Sequence, residues 1–98
     1  MIEKKIAILG STGSIGKSSL DVINLNKNKF NIILLSANSN FKEIKNQIKT
    51  YKPKYFVVTN LIVYEKIVKK FRNKKVKILS KFTELPLKVK FDITIAAI

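Results

Sequence analysis

The sequence predicts an α/β fold built on a doubly wound parallel sheet. Three observations carry this reading. Short apolar runs alternate with amphipathic ones along the 98 residues, the signature of βαβ units with right-handed crossovers. A glycine-rich turn, Gly10-Ser11-Thr12-Gly13-Ser14-Ile15-Gly16, joins the first strand-like run to the first helical one. The chain then stops within a strand-like run, where a parallel strand should continue into a loop and crossover helix. The sheet is therefore expected to be truncated at its C-terminal end, with residues 1–98 forming an incomplete N-terminal domain of a longer protein.

Lys4 to Leu9 is short, apolar and bounded by Gly10, as suits a buried parallel strand. Ser14 to Asn26 reads as a helix with Ile15, Ser19, Val22 and Ile23 on one face. Phe30 to Leu35 is a second buried strand, and Ser36 to Asn40 a turn of small, cap-forming residues. Phe41, Ile44, Ile48 and Tyr51 mark a second helix, which Asn40 can cap and Pro53 ends. Tyr55 to Thr59 is a third strand. Tyr64, Ile67, Val68 and Phe71 mark a third helix, closed by Arg72 to Lys75. Val76 to Leu79 is a short strand, Phe82 to Val89 is interrupted by Pro86, and Asp92 to Ile98 is strand-like again. The aromatic stripes are core positions.

The net charge is +14, from 20 basic and 6 acidic residues. Nucleic-acid binding is not the reading we draw from it. Arg72 is the single arginine, and arginine is the residue that reads bases and phosphates bidentately. The lysines are spread along the whole chain, and 15 Ile and 9 Asn accompany them, as translated A+T-rich codons would produce. Cysteine and histidine are absent, which excludes disulfides and Cys/His zinc sites from this segment. No apolar run approaches the ~20 residues that span a bilayer, and the N-terminus lacks the pattern of a signal peptide. The expected location is the cytoplasm, with no membrane partner.

The glycine turn has the spacing G-x-x-G-x-x-G. Its position between strand and helix supports a dinucleotide-binding, Rossmann-like reading. Gly10 permits the sharp exit from the strand, Gly13 lets a pyrophosphate approach the main chain, and Gly16 lets the helix pack close to the sheet. The helix N-terminus offers N–H groups and a partial positive charge, and Ser11, Thr12 and Ser14 add hydroxyls. Gly16-Lys17-Ser18 lacks the preceding glycine at P-loop spacing, which leaves Lys17 on the helix surface. A plain strand-to-helix turn without a ligand is the alternative.

An NAD site carries an acid about 20 residues past the glycines, on the ribose 2′-hydroxyl. Ser36 to Phe41 contains no acid. A carboxylate there would repel a 2′-phosphate, so its absence, with Asn38, Ser39 and Asn40 as hydrogen-bonders and Lys42 nearby, favours NADPH. The alternative is a polar turn that only caps a helix.

With these residues in view, the chain resembles the 1-deoxy-D-xylulose 5-phosphate reductoisomerase family. The resemblance lies in Gly-Ser-Thr-Gly-Ser-Ile-Gly followed by Ser19-Leu20-Asp21-Val22 and in the Ala37-Asn38-Ser39-Asn40 turn. Pro53-Lys54-Tyr55 and Asp92 leading into Ile95-Ala96-Ala97-Ile98 add to it. It covers the whole chain but only the N-terminal part of the enzyme. It implies an NADPH-binding domain in which Thr12, Gly13, Ser14 and Ile15, flanked by Gly10 and Ser11, meet the pyrophosphate region, and Asn38, Ser39 and Asn40 the adenosine ribose phosphate. The family often has Gly-Lys-Asn where this chain has Asn38-Ser39-Asn40, so the lysine of that slot is missing here, with Lys42 a possible substitute.

The resemblance further implies rearrangement and NADPH-dependent reduction of a small phosphorylated sugar to 2-C-methyl-D-erythritol 4-phosphate, in non-mevalonate isoprenoid synthesis. It implies Mg²⁺ or Mn²⁺ as Lewis acid and a homodimer. The carboxylates for the metal and the substrate-binding residues would lie beyond Ile98, so no catalytic or metal residue is assigned here. Asp21 is expected at the surface and Asp92 as a strand-edge cap. Another NADP-dependent reductase of semialdehyde-dehydrogenase type, or a stand-alone nucleotide-binding module, are the alternative functions.

Overall fold

The computed structural model describes residues 3–97. The elements are β1 (Lys4–Leu9), α1 (Ser14–Leu25), β2 (Phe30–Ala37), α2 (Phe41–Tyr51), β3 (Tyr55–Val58), α3 (Leu61–Lys70), β4 (Lys77–Leu79), a 3-10 turn (Phe82–Glu84) and β5 (Ile93–Ala96). All strands pair in parallel, in the order β4-β3-β2-β1-β5.

From β1 to β4 the chain steps outward in one direction, so right-handed crossovers place α1, α2 and α3 on one face. There Leu20 and Ile23 of α1, Ile44 and Ile48 of α2, and Val63 and Ile67 of α3 pack on Ile6, Ile8, Leu35, Phe56 and Val58. After β4 the chain crosses the other face and returns beside β1. The second layer of the winding is irregular here rather than helical. Leu85, Val89 and Phe91 cover Ala7, Ile33, Leu34, Tyr55 and Val57. Between β1 and β5 the winding changes direction, which is where open α/β sheets bind their ligands, beyond the strand C-termini.

A bulge sets which side of β2 faces which layer. Ile6 pairs with Ile32 but Ala7 pairs with Leu34, so Ile33 is an extra residue. It shifts the alternation by one. Ile33 and Leu34 both join the layer under the irregular segment, while Ile32 and Leu35 join the helical one.

Three local expectations are corrected. The inward face of α1 is Gly16, Leu20 and Ile23; of the expected Ile15, Ser19, Val22 and Ile23, only Ile23 lies on it. Ile15 and Val22 are 63% and 60% exposed. At Gly16 the helix lies against the Gly10 and Ser11 backbone just past β1, which turns the Gly16 stripe inward and Ile15 outward. β2 runs two residues further than expected, because Ser36 and Ala37 pair with Val57 and Val58 and are buried. The turn is therefore Asn38 to Asn40. The last strand covers Ile93–Ala96, and residue 98 lies outside the described residues. Asp92 caps it. The Lys5 N–H donates to Asp92 Oδ2 at 2.8 Å, and the Asp92 N–H to the Lys5 carbonyl at 2.8 Å.

Candidate functional site

Both candidate turns sit at the C-terminal edge of the sheet, one after β1 and one after its neighbour β2. The first is bent by Gly10, whose φ of 81° lies in the left-handed region that side chains rarely adopt. It is tied to β2 through the main chain. The N–H groups of Gly10 and Ser11 both donate to the Ser36 carbonyl, at 3.0 and 2.8 Å, and Gly10 also donates to Ser36 Oγ at 3.2 Å.

The other two glycines have different surroundings. A Cβ on Gly16 would lie 2.4 Å from the Gly10 carbonyl oxygen and 2.7 Å from the Ser11 Cα. A side chain there cannot fit without moving backbone. A Cβ on Gly13 would meet only the Gly10 oxygen, at 3.8 Å, and the Gly13 backbone is extended (φ −77°, ψ 174°). Nothing in the fold requires glycine at 13.

The N-terminus of α1 also differs from those of its neighbours. Asn40 caps α2 by accepting from the Glu43 N–H, and Asn60 caps α3 by accepting from the Val63 N–H. No side chain caps α1, and its first turn contains no acid. The first helical bond is from the Lys17 N–H to the Gly13 carbonyl, at 2.9 Å, leaving the Ser14 and Ile15 N–H groups free among the described residues. These donors and the end of the helix dipole face outward, the arrangement that receives an anion. Gly13, Ser14 and Ile15 are exposed and Thr12 is half-buried.

Ser11 is placed otherwise. It is fully buried, and its hydroxyl donates to Gln47 Oε1 at 2.7 Å. That hydroxyl is turned into the protein, away from the open side of the turn. Gln47, also fully buried, returns a bond from Nε2 to the Ser11 carbonyl at 2.9 Å and donates to Glu43 Oε2 at 3.1 Å. Lys17 Nζ lies 4.0 Å from Glu43 Oε1, on the helix surface as expected.

In the second turn Asn38, Ser39 and Asn40 are all exposed. Its shape is held by the main chain. The Thr59 N–H donates to the Ala37 carbonyl (3.1 Å), the Asn60 N–H to that of Asn38 (3.3 Å) and the Phe41 N–H to that of Ser39 (2.9 Å). Thr59 Oγ1 adds a bond to Asn38 Oδ1 at 3.0 Å. Neither turn contains a carboxylate. Glu43, in the first turn of α2, is the nearby acid, and Gln47 and Lys17 engage it.

The sequence profile described as 1-deoxy-D-xylulose 5-phosphate reductoisomerase matches residues 6–98. The chain belongs to this family. The reductoisomerase of Pelagibacter ubique is 42% identical over 82 residues, 84% of this chain and 21% of its own length. That of Porphyromonas gingivalis is 48% identical over 59 residues, 60% of this chain and 15% of its own. Among solved structures, the Zymomonas mobilis reductoisomerase in complex with NADPH superposes with a TM-score of 0.74 at 29% identity, covering 80% of this chain and 21% of that one. A reductoisomerase complex with NADPH, fosmidomycin and magnesium gives a TM-score of 0.75 at 27% identity, over 82% of this chain and 20% of that one. The chain thus spans about a fifth of the length of the Pelagibacter relative.

Among the described residues of this reductoisomerase segment, no group of three or more His, Cys, Asp or Glu sits together, and no helix is long and apolar enough to cross a membrane. Sequence reasoning missed Ser36, Gln47 and Thr59, which hold the turns in place. The signal for Gln47 was available. It falls at i+3 from Ile44 and i−1 from Ile48, a polar side chain beside the apolar stripe of α2.

Proposed function

We propose that this chain is the NADPH-binding portion of a 1-deoxy-D-xylulose 5-phosphate reductoisomerase. The observation that carries the reading is the contrast at the three helix N-termini: asparagine caps α2 and α3, while α1 is left uncapped behind an unobstructed Gly13. The free Ser14 and Ile15 N–H groups fit a pyrophosphate, with Gly10, Thr12 and the unobstructed Gly13 shaping the turn beside them. Ser11 supports the turn from behind. Asn38, Ser39 and Asn40 fit the adenosine ribose phosphate, in a turn free of acids.

When bound, the dinucleotide supplies the hydride. The residues of this chain bind and orient it and keep its anionic groups at the sheet edge. In the whole protein the product is 2-C-methyl-D-erythritol 4-phosphate, formed by rearrangement and reduction of 1-deoxy-D-xylulose 5-phosphate. The sugar phosphate and Mg²⁺ or Mn²⁺ are held by residues outside this segment, in a cytoplasmic homodimer. The NADPH complexes of the structural relatives support this reading, and the family match disfavours a semialdehyde-dehydrogenase-type reductase or a stand-alone module.

Titration of NADPH and NADH against the full-length product of the gene tests it. NADPH is expected to bind at least about tenfold more tightly, a difference near 1.4 kcal/mol. Ser39→Asp should reverse that preference by placing a carboxylate against the 2′-phosphate. Equal affinity for both cofactors in both proteins would defeat the assignment.

A further inference from the structure

We propose that Gln47 is a positioning residue that sets the spacing between the two cofactor-binding turns. The inference builds on the NADPH reading and assigns a role to a side chain that touches no cofactor.

Gln47 is an uncharged polar group with no solvent contact, and both ends of its amide are satisfied. Oε1 accepts from the Ser11 hydroxyl, while Nε2 donates to the Ser11 carbonyl and to Glu43 Oε2. This is a two-way clasp on one residue of the glycine turn. The amide orientation follows from the partners, since the Ser11 carbonyl can only accept. Gln47 lies seven residues into α2 from Asn40, two turns of helix. Glu43 links back to that end, because its N–H donates to Asn40 Oδ1 at 3.1 Å. An unbroken path therefore joins Ser11, Gln47, Glu43 and Asn40, and so joins the pyrophosphate turn to the ribose-phosphate turn.

An apolar residue would fill the same space at less desolvation cost, yet would leave the Ser11 hydroxyl and carbonyl buried without a partner. What the clasp adds over packing is direction. It fixes the side of the glycine turn that faces inward, so the Ser14 and Ile15 N–H donors face out at a set distance from Asn38 to Asn40. A dinucleotide spans both turns, whereas 2′-phosphoadenosine 5′-phosphate occupies chiefly the second. Preorganisation of the spacing favours the former alone.

The test compares Kd for NADPH and for 2′-phosphoadenosine 5′-phosphate in full-length wild type, Gln47→Met and Ser11→Ala, with thermal melts to verify folding. Gln47→Met should weaken NADPH about tenfold and leave the fragment within about twofold, as expected for lost preorganisation. Ser11→Ala removes one of the two clasp bonds and should give a smaller loss of the same kind; it decides the matter alone if Gln47→Met does not fold. Weakening of both ligands in parallel, or of neither, overturns the proposal and leaves the cofactor reading standing. A wild type that binds neither ligand defeats the cofactor reading itself.

Discussion

At the residue scale, the three glycines sit in three different surroundings, and two of them can be pulled apart by one methyl group. At Gly16 an added Cβ meets the Gly10 and Ser11 backbone at under 3.0 Å, so Gly16→Ala should destabilise the protein by about 1–3 kcal/mol, the usual cost of overpacking. At Gly13 the methyl meets nothing closer than 3.8 Å. Gly13→Ala should therefore change stability by less than about 0.5 kcal/mol and weaken NADPH. Denaturant melts and NADPH titration of the two variants check this crossed pattern. A large stability loss in Gly13→Ala would count against it. The roles of Gly10 and Gly16 were legible in the sequence because each concerns a missing side chain at a known place in a strand–turn–helix. The direction of Ser11 was not legible. It depends on the path of the turn and on a partner 36 residues away.

At the element scale, alternation and helix stripes read well, because period and length separate strands from helices without knowledge of the neighbours. The face of α1 did not read, since two apolar stripes compete on it and only the close approach at Gly16 decides between them. The bulge in β2 was hidden too, because it is a property of register and not of the run Ile32-Ile33-Leu34-Leu35 itself. The segment around Pro86 is held by a device the sequence left ambiguous. Glu84 Oε1 accepts from the Ser80 N–H (2.7 Å), the Ser80 hydroxyl (3.0 Å) and the Lys81 N–H (3.0 Å). The Ser80 N–H bond is the main reason its carboxyl is held below the ordinary value of 4.5, with the Ser80 hydroxyl and Lys81 N–H adding to it. A lowered folded-state pKa stabilises the fold at pH above the unfolded value and loses that contribution as pH falls through the folded value. The 3-10 turn should thus loosen below pH 4.5. Amide shifts of Ser80 and Lys81 followed by NMR should titrate there and be pH-independent in Glu84→Gln.

At the scale of the whole molecule, charge is the dominant feature that packing does not explain. Against a formal charge of +14, the described residues form one ion pair, Lys17 with Glu43, partly exposed and so of little energetic weight. Repulsion among dispersed lysines opposes the compact state. The melting temperature of the full-length protein should rise between about 10 and 150 mM monovalent salt, as the screening length falls from ~30 to ~8 Å. A flat or falling response would show that the lysines are too far apart to matter. The large-scale fold was legible in outline: the parallel sheet, its helices and the turns at its C-terminal edge. That the second face is covered by an irregular segment was not, because nothing local distinguishes a strap from a broken helix.

The main-chain bonding of the turn after β2 has an evolutionary consequence. Its shape is held through the carbonyls of Ala37, Asn38 and Ser39, and the exposed Ser39 side chain makes no hydrogen bond among the described residues. Mutation at that slot is nearly invisible to folding, so the scaffold places little constraint on which residue stands there. A lineage can exchange the side chain at 39 freely while the scaffold stays unchanged.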